Sequence, residues 1–218
     1  MASGKIASWA FGEEFPGELP ATDGPDAVER ARERGSALGV APLLPGAATH
    51  LRTSAAMLNA SSVVEVGTGT GVGSLHLLSG MAPDGVLTTI DPEPENHRVA
   101  RLAFAEARVA PGRVRTIGGR PSAVLARLTP GAYDMVVLWA AHPEIETLTE
   151  LARRLLRPGG VLIILNVLHH DRVADPTRRD ETTARVRALL RSLASDESLV
   201  ASLSPAGDGI LTAVTARR

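Results

Sequence analysis

The sequence predicts a doubly wound α/β fold of the Rossmann-like kind: a seven-stranded sheet, mostly parallel with one antiparallel strand, preceded by a helical N-terminal extension. Three observations predict it. Short apolar runs recur without polar alternation, as strands buried on both faces do. Helical periodicities separate them. One such run, Val63-Val64-Glu65-Val66, leads into glycines at alternate positions, Gly67, Gly69, Gly71 and Gly73, before an amphipathic helix begins. Strand, glycine loop and helix in that order place a ligand crevice at the carboxyl end of the strand.

Residues 1–24 are rich in Gly, Pro and Ala and carry Trp9, Phe11 and Phe15. Such a segment is either a loose tail or an arm that docks its aromatics on a neighbour, and the arm is expected: on a second copy of the chain, giving a homodimer, or else packed on its own chain as a cap over the cleft. Residues 25–38 read as a helix with Arg and Glu outward. Pro42 and Pro45 break it, and a second helix spans Gly46 to Leu58. The strands expected next are Val63–Val66, Val86–Ile90, Val114–Ile117, Met135–Leu138 and Val161–Leu165, with helices over 73–82, 93–108, 121–128 and 143–156 between them. Pro158-Gly159-Gly160 reads as a tight turn into the fifth strand. A helix over Asp180–Leu193 follows, then Leu199–Leu203 and Ile210–Ala216. The connection between these last two is too short for a parallel crossover, so one strand must be reversed. The expected organisation is a single domain over residues 1–218, with an arm and helices in 1–60 and the α/β core in 61–218.

The composition, 44% hydrophobic and 22% charged over 218 residues, is that of a globular chain with a sizeable core. A formal charge of −1 argues against a nucleic-acid groove and for a small-molecule partner. The absence of cysteine removes disulfides, thiol nucleophiles and thiolate metal sites. The run Ile6–Phe11 is too short and interrupted for a membrane segment, and the expected location is the cytoplasm.

The glycine spacing narrows the ligand. No register satisfies the dinucleotide fingerprint G-x-G-x-x-G, because Val72 and Ser74 stand where the third glycine would be. Glu65, two residues before the first glycine, suits a cationic ligand and would repel a diphosphate. The strand ending at Asp91 supplies the acid that accepts hydrogen bonds from ribose hydroxyls in doubly wound folds; a helix N-cap role for Asp91, with Pro92-Glu93 as first turn, is compatible with it.

The stretch Glu65–Gly71 resembles the E-x-G-x-G-x-G motif of S-adenosylmethionine (SAM) dependent methyltransferases. With Asp91, Ile117-Gly118-Gly119-Arg120-Pro121-Ser122, Tyr133-Asp134, Arg157-Pro158-Gly159-Gly160 and Leu203–Gly209, the chain resembles the O-methyltransferases related to catechol and caffeoyl-coenzyme A methyltransferases. The resemblance implies a class I methyltransferase fold and binding of SAM or S-adenosylhomocysteine (SAH). Its cofactor residues would be Glu65, Gly67, Thr68, Gly69, Gly71, Gly73, Asp91, Pro92, Gly119, Arg120, Pro121 and Trp139. At Gly73 relatives usually place a serine that contacts the SAM carboxylate. Where they end the fourth strand in Asp-Ala-Asp-Lys this chain reads Trp139-Ala140-Ala141-His142, and where they end the fifth in Asp-Asn it reads Leu165-Asn166. One amide cannot hold a hard cation that wants carboxylates, so no metal is expected.

His142 stands at the family's base position and is the candidate catalytic residue, an imidazole able to accept a proton near neutral pH. His169 and His170, past Asn166, could join it around a soft metal. His50, His76 and His97 fall in helical patterns and read as surface or partly buried. Trp139 reads as a packing plug or as a platform for adenosine or substrate. The expected function is methyl transfer from SAM to a small molecule by alignment, without metal. The alternatives are a non-catalytic SAM or SAH binder and, on weaker motif grounds, a nicotinamide-dependent oxidoreductase.

Overall fold

The computed structural model of the chain describes residues 9–11, 13, 26–40 and 43–216. Two helices, α1 (Asp26–Ala37) and α2 (Pro45–Met57), precede the core. There follow β1 (Ser62–Val66), α3 (Val72–Gly80), β2 (Val86–Asp91), α4 (Pro94–Glu106), β3 (Val114–Gly118), α5 (Pro121–Leu125), β4 (Tyr133–Trp139), α6 (Ile145–Leu155), β5 (Leu156–Leu165), α7 (Glu181–Ala194), β6 (Leu199–Ser204) and β7 (Ile210–Thr215). The seven strands form one sheet in the order β3-β2-β1-β4-β5-β7-β6. Strands β3 to β5 pair in parallel, whereas β7 runs antiparallel to both β5 and β6. The reversed strand required by the short β6–β7 connection is therefore β7, and it is inserted inside the sheet with β6 at the edge.

Alternation along the strands sorts the core onto two faces. Val63, Met135, Val137, Ile163 and Leu165 pack with the first four helices, while Val64, Val136, Leu138, Leu162 and Ile164 pack with residues of α6 and α7. Chain order reverses between β1 and β4, the topological switch point at which open α/β sheets bind ligands. The carboxyl ends of these two strands carry the glycine loop and Trp139.

Several expectations are corrected. Strand β5 begins at Leu156, so Pro158-Gly159-Gly160 lies within it. The turn-like composition reflects an irregularity: the β4–β5 register shifts between Tyr133 and Met135, and Gly159 has φ 74°. The helix expected over 121–128 ends at Leu125. His76 and His97 are buried, not superficial. Among the described residues neither ring nitrogen of His76 has a hydrogen-bond partner, and burial, then Arg32 and Arg52, lower its pKa to about 4, so the ring is neutral. The motif residues Asp134 and Arg157 lie at the opposite end of the sheet from the crevice. There the Asp134 carboxylate accepts from Ser61 N, Ser62 N and Arg157 Nε, pinning the amino ends of β1 and β4. Among the described residues no helix is long and apolar enough to cross a membrane.

Of the N-terminal arm, Glu13 is anchored: its carboxylate accepts from Gly46 N at the start of α2 and from Gly207 N in the turn before β7. Trp9 and Phe11 are 54% and 68% exposed. Phe15 lies outside the described residues.

Candidate functional site

Glu65 is the centre of the crevice. As the fourth residue of β1 it is fully enclosed, and it meets hydroxyls, not cations. Thr89 Oγ1 donates to its Oε2 at 2.8 Å and Ser74 Oγ at 2.5 Å. Because the Thr89 proton is spent on Glu65, Thr68 Oγ1, 2.8 Å from Thr89 Oγ1, must be the donor in that pair. Oε1 takes no hydrogen bond among the described residues and lies 2.5 Å from where a Cβ on Gly73 would stand. Desolvation, opposed by the Ser74 and Thr89 hydrogen bonds and assisted by the Asp91 charge, raises the Glu65 pKa to about 7. Among the described residues this buried carboxylate has two hydroxyl donors and no positive partner, which leaves its charge uncompensated when ionised.

The loop after it needs glycine at particular points. Gly67 has φ 95° and a Cβ there would come within 2.9 Å of the Trp139 indole; Gly71 has φ 91° and a Cβ there would crowd Ala100 and Phe104 of α4. Both conformation and space exclude a side chain. Gly69 N donates to Asp91 Oδ2 at 3.0 Å, tying the loop to the tip of β2. Asp91 is buried; its Oδ1 also accepts from Glu93 N, and both oxygens accept from Asn96 Nδ2. Asp91 is not the helix cap: α4 starts at Pro94 with Glu93 in the cap position. The Asp91 carbonyl accepts from His97 Nε2 at 2.8 Å and from Gly119 N at 3.3 Å. Asn96 and His97, adjacent on α4, thus hold the side chain and the main chain of the same acid. Neither residue belongs to a motif that announces this role in the sequence.

The roof comes from the N-terminal helices, also unforeseen. Thr70 Oγ1 donates to Ala31 O on α1 at 2.7 Å. A Cβ on Gly69 would touch Val40, and Leu43 lies against Gly73. Pro92 is exposed beside Asp91, Pro121 is buried, and Gly119 has φ 138°. Arg120 reaches across the mouth to the Glu144 carboxylate, which also accepts from Ser122.

At the strand ends, Trp139 and Leu165 are register partners, and Leu165 is buried. The indole of Trp139 packs on Gly67, filling the switch point. Asn166 has φ 58°; its amide nitrogen approaches Asp208 at 3.4 Å, and its buried Oδ1 has no hydrogen-bond partner among the described residues. An indole, an isobutyl group and one amide do not fit a hard cation. His142, His169 and His170 are not brought together: among the described residues no three His, Asp or Glu side chains cluster so as to hold a metal ion. His142 Nδ1 accepts from Glu144 N at 3.1 Å, which leaves Nε2 to carry the proton of the neutral ring. Burial lowers the His142 pKa against the Glu144 charge, with Arg120 adding to the lowering.

The sheet order with its inserted, reversed β7 is that of the class I methyltransferases, and solved structures share it. A Corynebacterium glutamicum protein superposes with a TM-score of 0.83 at 31% identity, covering 91% of this chain and 93% of that one. The Streptomyces achromogenes O-methyltransferase TomG, of tomaymycin synthesis and solved with SAM, superposes with a TM-score of 0.77 at 28% identity over 88% of this chain and 90% of its own. The chain belongs to the O-methyltransferase family, whose profile matches residues 42–216. A protein of Mycobacteroides abscessus that carries a provisional O-methyltransferase name is 46% identical over 188 residues, 86% of this chain and 87% of the relative.

Proposed function

We propose that this chain is a SAM-dependent O-methyltransferase for a small-molecule acceptor that works without a bound metal. The observation carrying this reading is Glu65: a buried carboxylate, without a cationic partner among the described residues, beside a glycine loop at the switch point. It suits the ammonium end of SAM, and Asp91 suits the ribose. Thr68, Gly69, Gly71 and Gly73 would line the path between them, with Pro92, Gly119, Arg120 and Pro121 around adenine and Trp139 as the wall. That TomG, 28% identical, was solved with SAM supports the same choice, and nothing in the family match favours a nicotinamide cofactor.

When bound, SAM supplies an electrophilic methyl group on a sulfonium. The remaining work belongs to the protein and consists of positioning. Glu65 and Asp91 would hold the two polar ends of the cofactor, Trp139 would keep water from the switch point, and the Arg120–Glu144 pair would tie the adenine side to the acceptor side. His142 would take up the acceptor proton only after Nδ1 releases the Glu144 amide. We further read the chain as cytoplasmic, with no nucleic-acid or membrane partner, and as a homodimer through Trp9 and Phe11. Calorimetric titration with SAM and SAH tests the cofactor reading: one site per chain is expected, and no heat with either, together with binding of NADH, would overturn it.

A further inference from the structure

We propose that the loop between Asn166 and Asp180 binds an anionic group of the methyl acceptor, a carboxylate or phosphate, between the guanidinium groups of Arg172 and Arg178. The proposal rests on the methyl-transfer reading for the word acceptor, but its geometry is independent of it. The loop leaves the carboxyl end of β5, directly after the Leu165 that pairs with Trp139, and so lies at the crevice end of the sheet.

This loop has no regular structure and is nevertheless held at many points. Arg187 of α7 inserts its guanidinium among the loop carbonyls, donating from Nε to Val173 O at 3.1 Å, from Nη1 to Arg178 O at 3.2 Å, and from Nη2 to Arg172 O at 3.2 Å and Asp175 O at 2.9 Å. Its hydrogen bonds all go to neutral carbonyls, so its charge remains as a positive field behind the loop. On the other flank His169, His170 and Asp171 stand consecutively in the left-handed region, with φ 48°, 55° and 62°, a costly run for residues with side chains. Asp208 Oδ1 secures it by accepting His170 N at 2.8 Å.

The shape so fixed borders an open hollow of about 250 Å³ lined by His170, Asp171, Arg172, Asp175 and Arg178. Counted as formal charge, arginines and aspartates balance. Counted as free hydrogen-bonding capacity, they do not. Asp175 Oδ1 is taken by the Thr177 amide and hydroxyl, and Asp180 by Thr183 as the cap of α7. The Arg172 guanidinium makes no hydrogen bond among the described residues and only acts at a distance on the Asp180 carboxylate, and Arg178 is held in one ion pair, Nε to Asp175 Oδ2 at 3.6 Å, without a hydrogen bond. Among the described residues the Asp171 carboxylate takes no hydrogen bond and is exposed, and Asp175 Oδ2 has only its ion pair with Arg178, so two acids set against two guanidinium forks still leave donors in excess. The hollow therefore offers donors in forked, planar geometry, the arrangement that reads carboxylate and phosphate oxygens in pairs.

The test uses the full chain saturated with SAH and follows backbone amide resonances of residues 168–179 by NMR, with 3,4-dihydroxybenzoate, catechol and inorganic phosphate as probes. Saturable shifts with dihydroxybenzoate at least tenfold tighter than with catechol are expected. They should be lost in the Arg172→Ala/Arg178→Ala double variant, whose side chains are exposed and should not affect folding. Arg187→Lys should weaken the same binding about tenfold while SAH affinity is unchanged. Competition by phosphate would assign the site to anions in general, and its failure beside dihydroxybenzoate binding would assign it to carboxylates. Equal binding of catechol, no saturable shift with either anion, or wild-type binding in the double variant would overturn the proposal. Loss of SAH binding in the unaltered chain would instead overturn the cofactor reading, and the titrations repeated without SAH would still judge the loop.

Discussion

The carboxylate of Glu65 occupies the space that a side chain on Gly73 would need: its Oε1 lies 2.5 Å from the position of that missing Cβ. Gly73 lies inside α3, where alanine is favoured over glycine by about 1 kcal/mol. Gly73→Ala should therefore leave the fold close to its original stability while pushing Glu65 off Ser74. Cofactor affinity should fall about tenfold, equivalent to about 1.4 kcal/mol. Calorimetry with SAH beside a thermal melt checks both halves.

Glu65 also sets a pH dependence. Its pKa is raised to about 7 in the fold against an ordinary value of 4.5, so between these values the folded chain holds a proton that the unfolded chain has released. Stability contributed by this group is then present below about pH 4.5 and is lost as pH rises to 7, by about 3 kcal/mol in all. Glu65→Gln should flatten that part of the stability curve. A cation bound at Glu65 favours the ionised form, so the thermal shift given by SAM should be larger at pH 8 than at pH 6, and equal shifts would count against the ammonium contact.

Asn96 and His97 should separate in their effects. Removing the Asn96 amide leaves the fold intact and frees the Asp91 oxygens, so Asn96→Ala should change SAH affinity by less than about threefold, or about 0.6 kcal/mol. His97→Ala deletes a buried ring and its bond to the Asp91 carbonyl. A loss of about 1–3 kcal/mol of stability is expected, with weaker SAH binding and an unchanged KM for the acceptor. Steady-state kinetics with each substrate varied in turn distinguish this from a general loss of fold.

At the strand ends, methyl transfer should be indifferent to EDTA and to added Mg²⁺, because Trp139 and Leu165 supply no oxygen. An activity abolished by EDTA and restored by Mg²⁺ would show that donors from elsewhere complete a metal site.

The exposed Trp9 and Phe11 lead to an assembly prediction. Burial of two such rings against a second copy contributes several kcal/mol at about 25 cal/mol per Å². Light scattering should find a dimer for the full chain and a monomer for a chain shortened to begin at Gly24; a monomer in both ends the idea.

Legibility followed physical cause. Uninterrupted apolar runs such as Val86–Ile90 and Met135–Leu138 announced buried parallel strands because both of their faces are covered. The start of β5 was hidden because a strand that admits Pro158, Gly159 and Gly160 through a register shift has the composition of a turn. Glu65 and Asp91 were legible because each sits at a fixed offset from the glycine loop and strand tip. Their partners Ser74, Thr89, Asn96 and His97 were not, since a hydroxyl or an imidazole on a neighbouring element has no spacing rule. Arg187 left no trace in the sequence because main-chain carbonyls carry no side-chain signature.

The place of β7 bears on how the molecule is made. This strand, late in the chain, lies between β5 and β6, so a ribosome that has delivered every earlier element still leaves β5 with an unpaired edge bearing Leu162, Ile163 and Ile164. Such an edge is a template for pairing with another nascent chain. Closure of the sheet must wait for residues 210–215. A frameshift or stop codon just before Ile210 would accordingly yield a sticky chain that aggregates during synthesis, even though it would already contain the whole glycine loop.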